Sequence, residues 1–236
     1  LCDQDDEIIL SDPGYACYPN FIKFVGAKPT PVPVFEEDGF QYRPEKIYEK
    51  ISAKTKGILI NSPMNPTGNL LSKEVMKELV KFGPPVISDE IYHGLVYKNR
   101  AHSILEFTDN AFVLSGFSKL YAMTGLRLGY VIAPPAYVRT MQKLQQNLFI
   151  CASSTVQRAG IVALRNAASD IEKMKKTYDQ RRKYIVQRLQ QLGFSIKVIP
   201  TGAFYVFVNA RHLSDNSYKL AFDILEKAHV GVTPGI

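Results

Sequence analysis

The chain has 236 residues, 46% of them hydrophobic and 22% charged, which is enough for a large domain with a sizeable core followed by a smaller one. Its three cysteines, Cys2, Cys17 and Cys151, are odd in number, far apart and without metal-ligand spacing, so they support neither a disulfide framework nor a zinc site, and a reducing, cytoplasmic compartment fits. No apolar run reaches the roughly 18 residues of a membrane helix, the acidic start is the wrong flank for a signal peptide, and the net charge of +7 does not point to nucleic acid, because the densest basic stretch, residues 173–183, interleaves Tyr178, Asp179 and Gln180 at helical spacing.

From residue 7 to residue 133 short apolar runs alternate with amphipathic stretches, the pattern of an α/β sheet. In chain order it predicts a strand over 7–10, a helix over 18–25, a strand over 31–34, a helix over 44–51, a strand over 57–60 and a helix over 72–82. Strands over 86–88, 112–115 and 129–133 follow, then helices over 135–144 and 155–166. The run Gly57-Ile58-Leu59-Ile60 is apolar throughout and reads as a strand buried on both faces. Over 169–192, Ile171, Met174, Tyr178, Ile185 and Leu189 recur at helical spacing before a Gly193 stop, which predicts one long helix leaving the first domain. Beyond it, two strands over 195–199 and 204–208 around a Thr201-Gly202 turn, and a helix over 217–228, make a smaller α+β unit. The division is a large domain over 1–180 and the start of a small one over 181–236.

In open α/β sheets ligands sit at the carboxyl ends of the strands. Three successive apolar runs are followed there by polar residues: Asn61-Ser62-Pro63-Met64-Asn65-Pro66-Thr67-Gly68, then Asp89-Glu90-Ile91-Tyr92, then Gly116-Phe117-Ser118-Lys119. Singly, each has a plain explanation. The first suits a turn, Asp89 could cap a helix, Tyr92 could be a core aromatic, and most lysines are solvated.

Taken together and in this order, the three segments resemble the class I/II aminotransferases. The run from Gly116 through Lys119, Gly125 and Arg127 to Gly129 is similar to that family's pyridoxal-5′-phosphate (PLP) attachment signature over its whole length. The resemblance extends more loosely from Asp12-Pro13-Gly14-Tyr15 to Thr233-Pro234-Gly235. It implies the fold-type-I PLP-transferase architecture: α/β, a mostly parallel sheet flanked by helices, with part of a smaller α+β C-terminal domain.

The resemblance also implies roles. Lys119 would carry PLP as a Schiff base and, once freed, move a proton at the substrate Cα. Asp89 would sit against the pyridine nitrogen and keep it protonated. Tyr92 and Asn65 would hydrogen-bond the ring's phenolate oxygen, and Tyr15 would stack on the pyridine face, with Tyr18, three residues on, as a competitor. Arg127 would grip the phosphate with its planar fork, and Ser118 would be a second phosphate ligand. Gly116 stands where the family often has Ser or Thr, a departure within the phosphate site.

The expected reaction is amino transfer from an L-amino acid to a 2-oxo acid by a ping-pong route, in a homodimer, with motif spacing most like the aspartate and broad-specificity branch. A lyase or synthase on the same fold and a non-catalytic sensor domain are the alternatives, since cofactor residues do not fix the fate of the reacting carbon. Two further parts implied by the resemblance, a phosphate-cradling loop at a helix N-terminus and a C-terminal arginine for the substrate carboxylate, have no candidate in these residues. The segment 200–205 reads as structural, with Gly202 serving backbone geometry, and 81–85 reads as a shortened surface loop.

Overall fold

The computed structural model describes residues 1–235. The apolar runs become a six-stranded sheet whose central strands alternate their side chains between two covered faces. Ile8 and Leu10 of strand β1 (Glu7–Asp12) and Leu59 of β3 (Thr55–Asn61) face one side, where Tyr18 and Ile22 of helix α1 (Tyr18–Phe24) cover them. Ile9 of β1 and Ile58 and Ile60 of β3 face the other, packed with Ile47 of α2 (Pro44–Tyr48) and Met76 and Leu79 of α3 (Lys73–Leu79). Ile9, Ile58 and Ile60 are fully buried, and truncating any one of them to Ala costs about 2–5 kcal/mol.

Sheet order is β2-β1-β3-β4-β5-β6, with β2 (Lys28–Pro33), β4 (Val86–Asp89) and β5 (Ala111–Gly116) parallel to β1 and β3, and β6 (Gly129–Ile132) antiparallel to β5. The sheet therefore presents the carboxyl ends of five strands at one edge, where the loops after β3, β4 and β5 lie side by side. All four residues of β6 are exposed.

Helices α4 (Pro135–Leu148), α5 (Ser154–Asn166), α6 (Ala168–Gln191) and α7 (Ser217–Ala228) follow. Most predicted elements agree with the structure to within a few residues. The helix expected over 72–82 is capped by Ser72, whose hydroxyl accepts from the Val75 amide at 3.2 Å, and ends as a 3₁₀ turn over Val80–Phe82. The helix expected over 44–51 stops at Tyr48.

The two strands expected over 195–199 and 204–208 do not form. This stretch makes only isolated bridges, Ser195 with Asn209 and Val96 with Gly202. The reason is where its backbone hydrogen bonds go. The Thr201 and Gly202 amides donate to the Gly68 carbonyl, each at 2.9 Å, and the Ala203 amide donates to the Leu95 carbonyl at 2.9 Å. These bonds fasten the turn between the two expected strands to the loops after β3 and β4, and the flanking residues meet only at the Ser195–Asn209 bridge. Arg182 of α6 adds an anchor: its guanidinium pairs with Asp179, donates to the Pro200 carbonyl at 3.1 Å and lies over the Tyr97 ring. Gly202 allows the approach, because a Cβ there would lie 2.7 Å from the Pro63 Cγ.

Candidate active site

At the carboxyl edge of the sheet, Asn61 ends β3 and Asp89 ends β4, and the two are register partners. Asn61 ties the neighbouring loops together. Its Nδ2 donates to the Asp89 carbonyl at 2.8 Å and its Oδ1 accepts from the Asn65 amide at 2.7 Å. Asn65 is thereby presented at the edge, next to the loop that carries Tyr92. The sequence carries no role for Asn61 beyond its place after an apolar run, and the structure gives it one as the tie between two loops.

Tyr15, Tyr18, Asn61, Asn65, Asp89, Tyr92, Lys119 and Tyr205, with Ile91, Leu114 and Ser115, line one cavity of about 320 Å³. Five of the seven residues selected from the sequence meet here. Lys119 follows β5 on the loop that leads to β6. Its ammonium lies 5.8 Å from the centroid of the Tyr92 ring and 5.6 Å from that of Phe204, and has no hydrogen-bond or ion-pair partner among the described residues. A second cavity of about 330 Å³, lined by Tyr97, Tyr178, Arg182 and Phe204, adjoins at Tyr205 but contains none of the selected residues.

Asp89 is mostly buried, and burial pushes its carboxyl above the usual carboxylate range. The Tyr18 hydroxyl, donating to Oδ2 at 2.6 Å, and the Ile91 amide, donating to Oδ1 at 3.0 Å, oppose that shift, as do His93 and Lys119 by their charge. Burial, reinforced by Asp89, holds the Tyr18 phenol far above its ordinary value, so it acts as a neutral donor. Tyr15 and Tyr18 pack edge to face at 5.2 Å but do different things: Tyr18 is buried and committed to Asp89, whereas Tyr15 is 38% exposed on the cavity wall.

Behind Asp89, the buried Glu90 carboxylate gathers four donors. Ser88 and Ser103 hydroxyls at 3.0 Å, the Ile104 amide at 2.9 Å and the His93 ring at 3.2 Å all reach it. Burial pushes His93 below its ordinary value against the upward pull of Glu90. This cluster fixes the turn that carries Tyr92.

Ser118 and Arg127 are not among the residues lining the cavity. Ser118 uses its carbonyl to accept from the Thr124 hydroxyl at 2.7 Å, and Arg127 is exposed with its Nη1 donating to the Thr124 carbonyl at 2.9 Å. Gly116 has a packing reason for lacking a side chain. A Cβ there would lie 2.9 Å from the Gly129 Cα across the β5–β6 pair. Tyr205 also lines the cavity, although the segment 200–205 reads as structural in the sequence.

A parallel sheet with an antiparallel final strand, and a lysine, a carboxylate, tyrosines and an asparagine converging at its carboxyl edge, define an α/β protein with the donor set of a PLP enzyme. The chain belongs to the family Aminotransferase class I and II, which matches residues 1–236. It is 40% identical over 240 residues to the (5-formylfuran-3-yl)methyl phosphate transaminase of Methanocaldococcus jannaschii, covering 100% of this chain and 62% of that protein. It is likewise 40% identical over 244 residues to an aspartate aminotransferase of Pyrococcus horikoshii, with the same coverage. Among solved structures, the aspartate aminotransferase of Thermus thermophilus with maleate superposes with a TM-score of 0.95 at 32% identity, over 99% of this chain and 63% of that one. The chain thus spans about 62% of the length of the curated relatives it matches.

Proposed function

We propose that the protein is a PLP-dependent aminotransferase that moves an amino group from an L-amino acid to a 2-oxo acid, as a cytoplasmic homodimer. The observation that carries this reading is the convergence of Lys119, Asp89, Tyr92 and Asn65, from the carboxyl ends of three different strands and the loops after them, on one cavity of about 320 Å³. The donor set suits the cofactor. It offers an amine for an aldehyde, a carboxylate for a pyridine nitrogen, and a hydroxyl and an amide for a phenolate. The names of the relatives, aspartate, aromatic and other aminotransferases, support amino acids and oxo acids as substrates. The family resemblance supports the dimer, and the long helix α6 supports a division into a large domain over 1–180 and the start of a small one over 181–236. Among the described residues no helix is long and apolar enough to cross a membrane.

When bound, the cofactor supplies an electron sink for the pair left at the amino acid's Cα when its proton departs. Asp89 holds a proton on the pyridine nitrogen, and the bonds from Tyr18 and Ile91 keep its two oxygens oriented for that task. Tyr92 and Asn65 donate to the phenolate oxygen. Tyr15 offers an aromatic face as a wall for the ring. Lys119 would hold the group at its aldehyde carbon and would be the base for the substrate Cα proton; the aromatic rings of Tyr92 and Phe204 flank its amine. Arg127 and Ser118 serve the phosphate in this reading. For Arg127 that requires a turn of the side chain away from the Thr124 carbonyl, an exposed contact worth little.

Borohydride reduction in the presence of PLP, followed by peptide mapping, tests the assignment. The adduct is expected on Lys119 and lost in Lys119→Ala; an adduct on another lysine refutes it. An amino acid given without an oxo acid should leave pyridoxamine phosphate, which a lyase would not.

A further inference from the structure

Three polar groups converge at one point of the cavity wall. The Tyr205 hydroxyl lies 2.5 Å from the Tyr92 hydroxyl and accepts from the Asn65 Nδ2 at 3.3 Å. Tyr92 and Asn65 are the pair assigned above to the phenolate oxygen, so Tyr205 is bonded to both members. It arrives from a different part of the chain, 86 residues after Lys119 by the numbering.

Its position is imposed by backbone contacts on both sides. Thr201 and Gly202 are tied to Gly68, the last residue of the turn that carries Asn65, and Ala203 is tied to Leu95, three residues after Tyr92. Ala203 is fully buried, and the Tyr205 ring packs edge to face on Tyr92 at 5.6 Å. The hydroxyl is thus delivered by a segment fastened to the two loops it serves.

Proton bookkeeping gives the contact a direction. A tyrosine hydroxyl has one proton to donate and can accept as well. Tyr205 already accepts from Asn65. If it donates to Tyr92, the Tyr92 proton is left to point into the cavity, and the chain of donors strengthens it. Burial, with the Tyr205 contact next, raises the Tyr92 phenol well above its ordinary value, so it stays a neutral donor.

We propose that Tyr205 is a positioning residue that orients the Tyr92 hydroxyl and the Asn65 amide toward the phenolate oxygen of the cofactor. The inference rests on the cofactor reading above and assigns a role to a residue outside the strand-end motifs.

The test uses the protein expressed from its complete reading frame, as wild type, Tyr205→Phe, Tyr92→Phe and the double variant, with PLP as the probe. Two quantities are read: the PLP dissociation constant and the pH midpoint of the bound cofactor's visible absorption band. Tyr205→Phe is expected to weaken PLP about fivefold, the factor of one hydrogen bond. It should also raise the midpoint, because a poorer donor stabilises the anionic oxygen less. In the Tyr92→Phe background the same substitution should move the midpoint less, since only the Asn65 contact is then left to lose, and the difference is the signature of coupling through Tyr92. An unchanged midpoint in the single variant, or an equal shift in both backgrounds, overturns the proposal. A wild type that binds no PLP sinks the cofactor reading and this inference with it; normal wild-type binding with an unaffected variant sinks only the inference.

Discussion

Replacing Tyr18 by Phe removes a single oxygen from a buried site and should have a cost that depends on pH. The Tyr18 hydroxyl donates to Asp89 Oδ2 at 2.6 Å, and Tyr18 is only 6% exposed, so water does not readily replace it. A hydrogen bond to a charged group contributes about 1.5–3 kcal/mol, and one between neutral groups about 0.5–1.5 kcal/mol. The difference, roughly 1–2 kcal/mol, applies only while Asp89 is ionised, and corresponds to a further rise in its pKa of about one unit. Burial already raises the Asp89 pKa in the folded state, while Tyr18 pulls it down. An acid whose folded pKa is raised contributes stability that is present below the unfolded pKa and lost as pH rises through the folded one. Tyr18→Phe enlarges that loss. Urea unfolding at about pH 7 should therefore show a larger destabilisation than at about pH 3, below the ordinary carboxylate range, where a carboxyl with a raised pKa is protonated in the folded state. An equal destabilisation at both pH values would mean that Tyr18 does not donate to a carboxylate, and the electrostatic account of Asp89 would fail.

Two other substitutions probe separate parts of the site. Asp89→Asn should lower turnover by roughly a hundredfold or more while preserving the fold, because the amide cannot hold a proton on the pyridine nitrogen; near-normal single-turnover rates with an amino donor would contradict this. Glu90→Leu should destabilise the protein by about 3–5 kcal/mol, since it strands the Ser88 and Ser103 hydroxyls, the Ile104 amide and the His93 ring in a buried place. Denaturant midpoints measure it, and a loss under about 1 kcal/mol would show that these donors find other partners.

Much of the site could be found in the sequence because it is local chemistry. Apolar runs such as Gly57-Ile58-Leu59-Ile60 mark strands whose two faces are both covered, and in an open α/β sheet the residues just after them must lie at one edge. Asn65, Asp89, Tyr92 and Lys119 all follow such runs, and all four reach the same cavity. Helix ends were legible where a side chain caps them, as Ser72 does, or where a glycine follows, as Gly193 does after α6.

Other features depended on segments meeting in space. The stretch 195–209 has the composition of two strands, yet the Thr201, Gly202 and Ala203 amides of its turn are taken by the Gly68 and Leu95 carbonyls, and no spacing rule announces carbonyls more than a hundred residues away. The same meeting brings Tyr205 to Tyr92 and Asn65. Tyr15 and Tyr18 look interchangeable in sequence; burial against the sheet and a 2.6 Å bond to Asp89 separate them. Ser118 and Arg127 have the right spacing from Lys119, but the loop's own bonds to Thr124 leave both outside the cavity lining. Sequence determined which residue types stand at each strand end, because strand period and turn chemistry act over a few residues. Tertiary structure decided which of them share a proton or a cavity, because that depends on which distant backbone satisfies which buried polar group.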